Sequence, residues 1–155
     1  TASYDSVSFS VSGQDADGGK GIAFNSTGTK MYIVGNYAAS GQWVQAYQYS
    51  LSTGFDLSTA SYDSVSFSIA GQDTGPYGFA FNPTGTKMYI VGGANDYVYQ
   101  YSLSTGFDLS TASYDSVSFS IAGQDTSPFD IVFNPTGTKM YMVGTTNDSV
   151  YQYSV

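Results

Sequence analysis

The sequence predicts an all-β protein in which one four-stranded antiparallel unit is repeated along the chain. The stretch TASYDSVSFSIAGQD occurs from Thr59 to Asp73 and again, 52 residues later, from Thr111 to Asp125. A near copy, TASYDSVSFSVSGQD, begins at Thr1. Between these copies, short apolar or alternating segments are separated by turn residues, and no apolar stripe of helical period competes with them. A fixed period of this length indicates units that bury their faces by stacking on one another.

The second unit shows how the first two strands follow from the sequence. The segments YGFAF (Tyr77 to Phe81) and KMYIV (Lys87 to Val91) are apolar and short, which predicts two buried strands. The intervening NPTG places Asn, Pro and Gly at the first, second and fourth turn positions. These residues favour a type I turn, so we predict a hairpin.

The third and fourth strands are predicted by alternation. In Tyr97 to Leu103 the three tyrosines fall on one face, because side chains alternate along a strand, and this face suits packing between sheets. In Ser113 to Ile121 apolar residues alternate with serine, so one face of the strand is apolar and the other is polar and faces solvent.

Four antiparallel strands in a repeat of about 50 residues are typical of a β-propeller blade. We therefore predict a β-propeller of four-stranded antiparallel blades, with three blades per chain. The blade units are 12–68, 69–120 and 121–155, and 1–11 is an additional outer strand. The segment SPFDIVFNPTGTKMYMVGTTNDSVYQYS (Ser127 to Ser154) resembles the blades of YVTN and NHL-type propellers, which include the lactonase-like group. This resemblance covers all three units and implies the fold, but not the activity, because such blades serve many tasks.

The phase of the repeats predicts self-association. Three blades do not close a ring, because known propellers have about 4 to 8 blades or more. The segment 1–11 has the sequence of a fourth strand, whereas the third unit stops after its third strand. We expect a head-to-tail homo-oligomer in which 1–11 completes the last blade of a neighbouring copy, as a six-bladed dimer in preference to a nine-bladed trimer. The predicted interface residues are Val7, Phe9, Val11, Val150, Tyr151 and Tyr153. The alternative is a fragment of a longer propeller with a purely structural role.

Composition narrows the functional classes. The net charge is -8, with 4 basic residues, no His and no Cys, and every acid is Asp and every base Lys. A nucleic-acid partner is not expected, because phosphate binding needs clustered Lys and Arg. No apolar run reaches the roughly 20 residues of a membrane-spanning helix, so no membrane partner is expected. Richness in Ser, Thr, Gly, Asn and Tyr is common in extracellular and virion surface proteins, but the compartment stays open.

Carboxylates are expected to gather at one rim of the propeller. The connection before strand one and the loop between strands two and three lie on the same rim, and here both carry Asp. Such a ring could bind calcium or accept hydrogen bonds from sugar hydroxyls. The alternative is that these residues cap turns through bonds to the backbone. The candidate metal ligands are Asp15, Asp73 and Asp125, and the additional candidate ligand-binding residues are Asp96, Asp148 and Asp130. No other cofactor is expected.

The first unit carries a unique insertion with two aromatic residues, Tyr37 and Trp43. An exposed ring in a loop could stack on a sugar, although packing onto its own blade is the alternative. Without His, Cys, Glu or Arg, no nucleophile is paired with a base in a recognisable motif. The sequence therefore favours a non-catalytic repeat scaffold or binding module, with a glycan as a candidate ligand. A metal-dependent hydrolase or lactonase-like enzyme that uses the Asp rim is the alternative.

Overall fold

The computed structural model describes residues 1–15, 18–37 and 43–155, except the side chains of 36, 37 and 43. Its regular structure is almost entirely strand, as predicted, with two single-turn 3₁₀ helices, Leu57–Thr59 and Leu109–Thr111. In the described part of the chain, no helix is long and apolar enough to cross a membrane.

Three antiparallel sheets follow one another along the chain, each with its strands in sequence order. Sheet 1 contains β1 (Gly21–Phe24), β2 (Lys30–Tyr37), β3 (Trp43–Leu51) and β4 (Ala60–Ser68). Sheet 2 contains β5 (Pro76–Phe81), β6 (Lys87–Gly92), β7 (Tyr97–Leu103) and β8 (Ala112–Ser120). Sheet 3 contains β9 (Pro128–Phe133), β10 (Lys139–Gly144) and β11 (Val150–Ser154). The strands predicted for the second unit agree with β5 to β8 to within one residue at each end.

The hairpin turn between β5 and β6 forms as the sequence predicts. The backbone N–H of Gly85 donates to the carbonyl of Asn82 at 2.9 Å, and the side-chain oxygen of Asn82 accepts from the backbone N–H of Lys87 at 3.0 Å. Gly85 has a φ of 70°, and a Cβ there would lie 2.3 Å from the ring of Phe107. Only glycine tolerates both this positive φ and the close approach of the ring. The same turn recurs in sheets 1 and 3.

The outer strand of each four-stranded sheet contains a bulge. The register shifts between Gln48 and Tyr49 in sheet 1, and at the same repeat position in sheet 2. Ser64 and Ser116 lie opposite these shifts with φ of 58° and 57°, a left-handed conformation that is uncommon for serine. The backbone at these positions is therefore a fixed feature of the repeat.

The sheets stack face to face. The front face of a sheet carries the residues equivalent to Met31, Ile33 and Tyr49, and the back face carries those equivalent to Tyr32 and Val34. The back face of sheet 1 packs on the front face of sheet 2, and the back face of sheet 2 packs on the front face of sheet 3. The tyrosine row of β7 lies partly in the first of these contacts, with Tyr99 and Tyr101 buried.

Candidate functional site

The three predicted metal ligands are buried in separate loops of the three repeats. Asp73 and Asp125 end the turn that follows an outer strand, Asp15 ends the equivalent turn after the segment 1–11, and each is 1–2% exposed. Their carboxylates lie against a glycine of the second strand, where a Cβ would come within 1.6–2.2 Å of a carboxylate atom. These glycines are Gly35, Gly92 and Gly144. Each carboxylate therefore fills the space that a side chain would take at the facing position, and only glycine leaves this space free.

Asp125 ties two loops of sheet 3 together. Its Oδ1 accepts from the backbone N–H of Ser127 at 2.8 Å and of Thr146 at 3.3 Å, and its Oδ2 accepts from that of Asn147 at 3.0 Å. Burial acts to raise the pKa of Asp125, but these amides outweigh it and hold that pKa below its ordinary value. Asp73 makes the corresponding bond to the backbone N–H of Gly75 at 2.7 Å. Both residues thus serve as turn caps.

The remaining carboxylates of the rim are placed differently. Asp96 and Asp148 end the loops between the second and third strands, with φ of 56° and 47°, and Asp148 is exposed. Asp130 is exposed on β9, at the repeat position of Gly21 and Gly78, and its Oδ1 accepts from the backbone N–H of Ile131 at 2.8 Å. Among the residues described, no three acidic side chains come together in a group that could hold a metal ion. Calcium binding stays a prediction.

The two aromatic residues of the insertion cannot be placed as ligand contacts. The backbones of Tyr37 and Trp43 pair at the end of the β2–β3 hairpin. Their side chains, together with residues 38–42, lie outside the described part of the structure.

A different aromatic pair lies near these loops. Tyr77 and Phe129 are 38% and 55% exposed, and their rings stack at 5.6 Å and 20°. The Tyr77 ring rests on Gly93 of the β6–β7 loop, where a Cβ would lie 2.2 Å from it. Neither ring is among the residues singled out from the sequence. The signal was available, because each follows a proline at the same repeat position, in GPYG and SPFD.

The segment 1–11 packs on the front face of sheet 1. The Phe9 ring meets the Tyr49 ring edge to face at 5.6 Å and 80°, and Phe67 of β4 meets Tyr101 of sheet 2 at 5.5 Å and 83°. Val11 joins the same apolar cluster, whereas Val7 is exposed. Ser6 has a φ of 58°, the conformation of the bulge serines. The segment therefore takes the shape and place of an outer strand that precedes sheet 1, although it pairs with no described strand.

Sheet 3 leaves its back face open to solvent. Val143 and Val150 are 39% and 70% exposed, whereas the equivalent Val91 and Val98 of sheet 2 are 0% and 1% exposed. The outer edge of β11 pairs with none of the described strands. Tyr151 and Tyr153, also predicted at an interface, are half-buried on the front face, against sheet 2.

Comparison with known proteins supports the fold. No family model and no curated protein sequence matches the chain. Among solved structures, similar folds occur in a candidate 6-phosphogluconolactonase from Bacteroides uniformis (TM-score 0.58, 17% identity, 86% of this chain and 38% of the other). A similar fold occurs in the hydrazine synthase of Kuenenia stuttgartiensis (TM-score 0.56, 14% identity, 86% of this chain and 44% of the other). Another occurs in the β-propeller domain of Cps50 (Swd1) from Myceliophteria thermophila (TM-score 0.55, 12% identity, 86% of this chain and 37% of the other). The chain spans about two fifths of these structures, and it has a β-propeller fold.

Proposed function

We propose that this protein is a non-catalytic propeller module of three blades per chain that assembles head to tail into a closed ring. The observation that carries the proposal is the exposed back face of sheet 3. Its valines occupy positions that are buried wherever another sheet follows in the chain. Monomeric soluble proteins rarely leave a contiguous apolar face in water, so a covering surface is needed.

The front face of sheet 1 is the matching surface. Ile22 is 59% exposed there, whereas the equivalent Phe79 and Ile131 of sheets 2 and 3 are 3% and 1% exposed against a preceding sheet. The two open faces are thus the two halves of a contact that the chain already makes twice within itself. Contact between different surfaces of identical copies is heterologous, and it closes a ring when the rotation between copies permits. A ring of six blades from two copies fits the usual size range of propellers, and nine blades from three copies is the alternative.

The expected result in solution is a discrete oligomer. A chain of 16.4 kDa should give a particle of about 33 kDa for two copies or about 49 kDa for three. Light scattering coupled to size exclusion, repeated over a hundredfold range of concentration, measures this mass. A soluble particle of 16.4 kDa throughout that range would contradict the proposal and favour the alternative, in which the neighbouring sheets belong to the same longer polypeptide.

We further propose that the ring binds glycans beside the Asp and Asn loops. The stacked Tyr77–Phe129 pair supports this function, because exposed aromatic faces stack on sugar rings and the adjoining loops supply polar groups. Lys20 occupies the same repeat position in the first unit, so each copy would place two aromatic rings and one cationic group at this rim.

Replacing both rings by alanine should abolish retention of the purified oligomer on a glycan array, because the stacking surface is lost. Tyr97→Ala is the matched control, since that tyrosine is 37% exposed and its ring stacks on Tyr99, outside the pair. Equal loss of binding in the control, or unchanged binding in the double variant, would contradict a role of this pair.

A metal-dependent hydrolase or lactonase-like enzyme is the less favoured function. The lactonase name of two structural neighbours concerns proteins of 17% and 15% identity and suggests such an activity only by their fold. Against it, the side chains of Asp73 and Asp125 already bond to backbone amides of their own loops. This use of the carboxylates supports a structural role.

A further inference from the structure

Sheets 1 and 2 each contain the same charged group of three side chains. In sheet 1, Lys30 Nζ lies 2.6 Å from Asp63 Oδ2, and Gln48 Nε2 donates to the same oxygen at 2.8 Å. In sheet 2, Lys87, Gln100 and Asp115 repeat the arrangement, with a Lys–Asp distance of 2.7 Å. The Asp always comes from the outer strand, so this group, which we call the Lys–Gln–Asp cluster, fastens the outer strand to its sheet.

Sheet 3 has the Lys and the Gln of this cluster but not the Asp. Lys139 Nζ donates to Ser154 Oγ at 2.8 Å, as Lys30 and Lys87 donate to their serines. No described carboxylate lies in salt-bridge range of Lys139. The equivalent carboxylate by sequence is Asp5, in the segment 1–11, directly before Ser6 with its preformed bulge conformation.

Asp5 lines an open groove of about 420 Å³ on its own chain. One wall is the segment Ser3 to Val7, and the other is the connection Phe55 to Leu57. Within the chain, β4 and the connection 107–109 are the equivalents of these two walls. The third strand of sheet 1, β3, lies between them. There Gln48 Nε2 donates to Asp63, and Gln48 Oε1 accepts from the backbone N–H of Leu109 at 2.9 Å. The groove therefore has the form of a site for a third strand.

We infer that this groove binds β11 of a second copy, with Asp5 accepting hydrogen bonds from Lys139 Nζ and Gln152 Nε2 of that copy. The backbone N–H of Leu57 then donates to Gln152 Oε1, as that of Leu109 donates to Gln48. The inference rests on the proposed head-to-tail ring and adds its register. A slip of the strand by one residue would turn Gln152 to the opposite face and leave Lys139 without its carboxylate.

The cluster also makes the assembly sensitive to acid. Burial acts to raise the pKa of Asp63 and of Asp115, but bonds from the Lys, Ser and Gln of each cluster outweigh it and hold both pKa values below the ordinary value. A carboxylate whose pKa is lowered by pairing stabilises the paired state fully at pH values above its ordinary pKa. This stabilisation decreases below the ordinary pKa and is lost as the pH falls through the lowered pKa. Tyr4 and Asp56 are the other titratable groups that line the groove of the receiving copy. Tyr141, the strand partner of Gln152, would approach the groove from the copy that supplies β11.

The test is the dissociation constant of the ring, measured by sedimentation equilibrium at pH 7 and at pH values down to about 3, below the ordinary Asp pKa of about 3.9, where the pairing is expected to be lost. Asp5→Ala should raise this constant about 10–100-fold, as loss of hydrogen bonds to a charged group does. The matched control is Asp148→Asn, which removes the same charge at an exposed loop and keeps a side chain that tolerates the φ of 47° there. The double variant Asp5→Lys with Lys139→Asp should restore part of the affinity, and the loss of affinity in acid should be weaker in Asp5→Ala than in the unaltered protein.

Two failures can be told apart. An unaltered chain that stays monomeric overturns the proposed ring. An unaltered chain that assembles, together with an Asp5→Ala variant that assembles as tightly and with the same pH dependence, overturns only the cluster between copies.

Discussion

The substitution Val143→Asp is expected to convert the assembled protein into folded single chains of 16.4 kDa. Val143 is 39% exposed on the back face of sheet 3, so a carboxylate there stays hydrated in the single chain. In the ring the same side chain would be covered by sheet 1 of a neighbouring copy, and burying an unpaired charge is costly. The dissociation constant should rise by at least 100-fold, measured by sedimentation equilibrium.

Val91→Asp is the matched control for this experiment. Val91 occupies the same repeat position in sheet 2 but is 0% exposed, so the charge would be buried within one chain. This variant is expected to unfold or aggregate, which near-ultraviolet circular dichroism would detect. If Val143→Asp also unfolds, or if it assembles unchanged, the open face of sheet 3 is not the contact between copies.

The substitution Leu109→Ala should destabilise the single chain by about 2–5 kcal/mol, the usual loss when a buried leucine is truncated. Leu109 is 1% exposed and lies in the core between sheets 1 and 2, where its backbone N–H donates to the side-chain Oε1 of Gln48. Leu57 stands in an identical segment, STGFDLS, but is only half-buried. Leu57→Ala should therefore cost less in the single chain.

Urea unfolding of both variants in the Val143→Asp background compares them as monomers. Leu57→Ala should in addition weaken the ring when it is introduced alone, because Leu57 lies in the groove for β11. Equal losses of unfolding free energy in the monomeric background would show that the two identical segments do not differ in burial.

The sequence by itself determined the local structure of the repeat. The strands of the second unit and the turn from Asn82 to Gly85 were predictable because strand alternation and turn chemistry act between residues only a few positions apart. The head-to-tail ring was a hypothesis from the sequence and remains a proposal. The resemblance of the repeats to lactonase-like propellers agrees with the fold of the structural neighbours. Membership of the YVTN or NHL type stays a prediction.

The tertiary structure decided which equivalent residues are covered and which are open. Val91 and Val143 have almost the same sequence surroundings, KMYIVG and KMYMVG, and the presence of a following sheet separates their exposures. Leu57 and Leu109 differ because only Leu109 has a preceding sheet to pack against. Metal binding by Asp73 and Asp125 stays a prediction, and nothing in the sequence indicated that their carboxylates fill the space over glycines that are distant in sequence. Burial depends on contacts between units, and a repeated sequence gives identical units the same local signal wherever they stand.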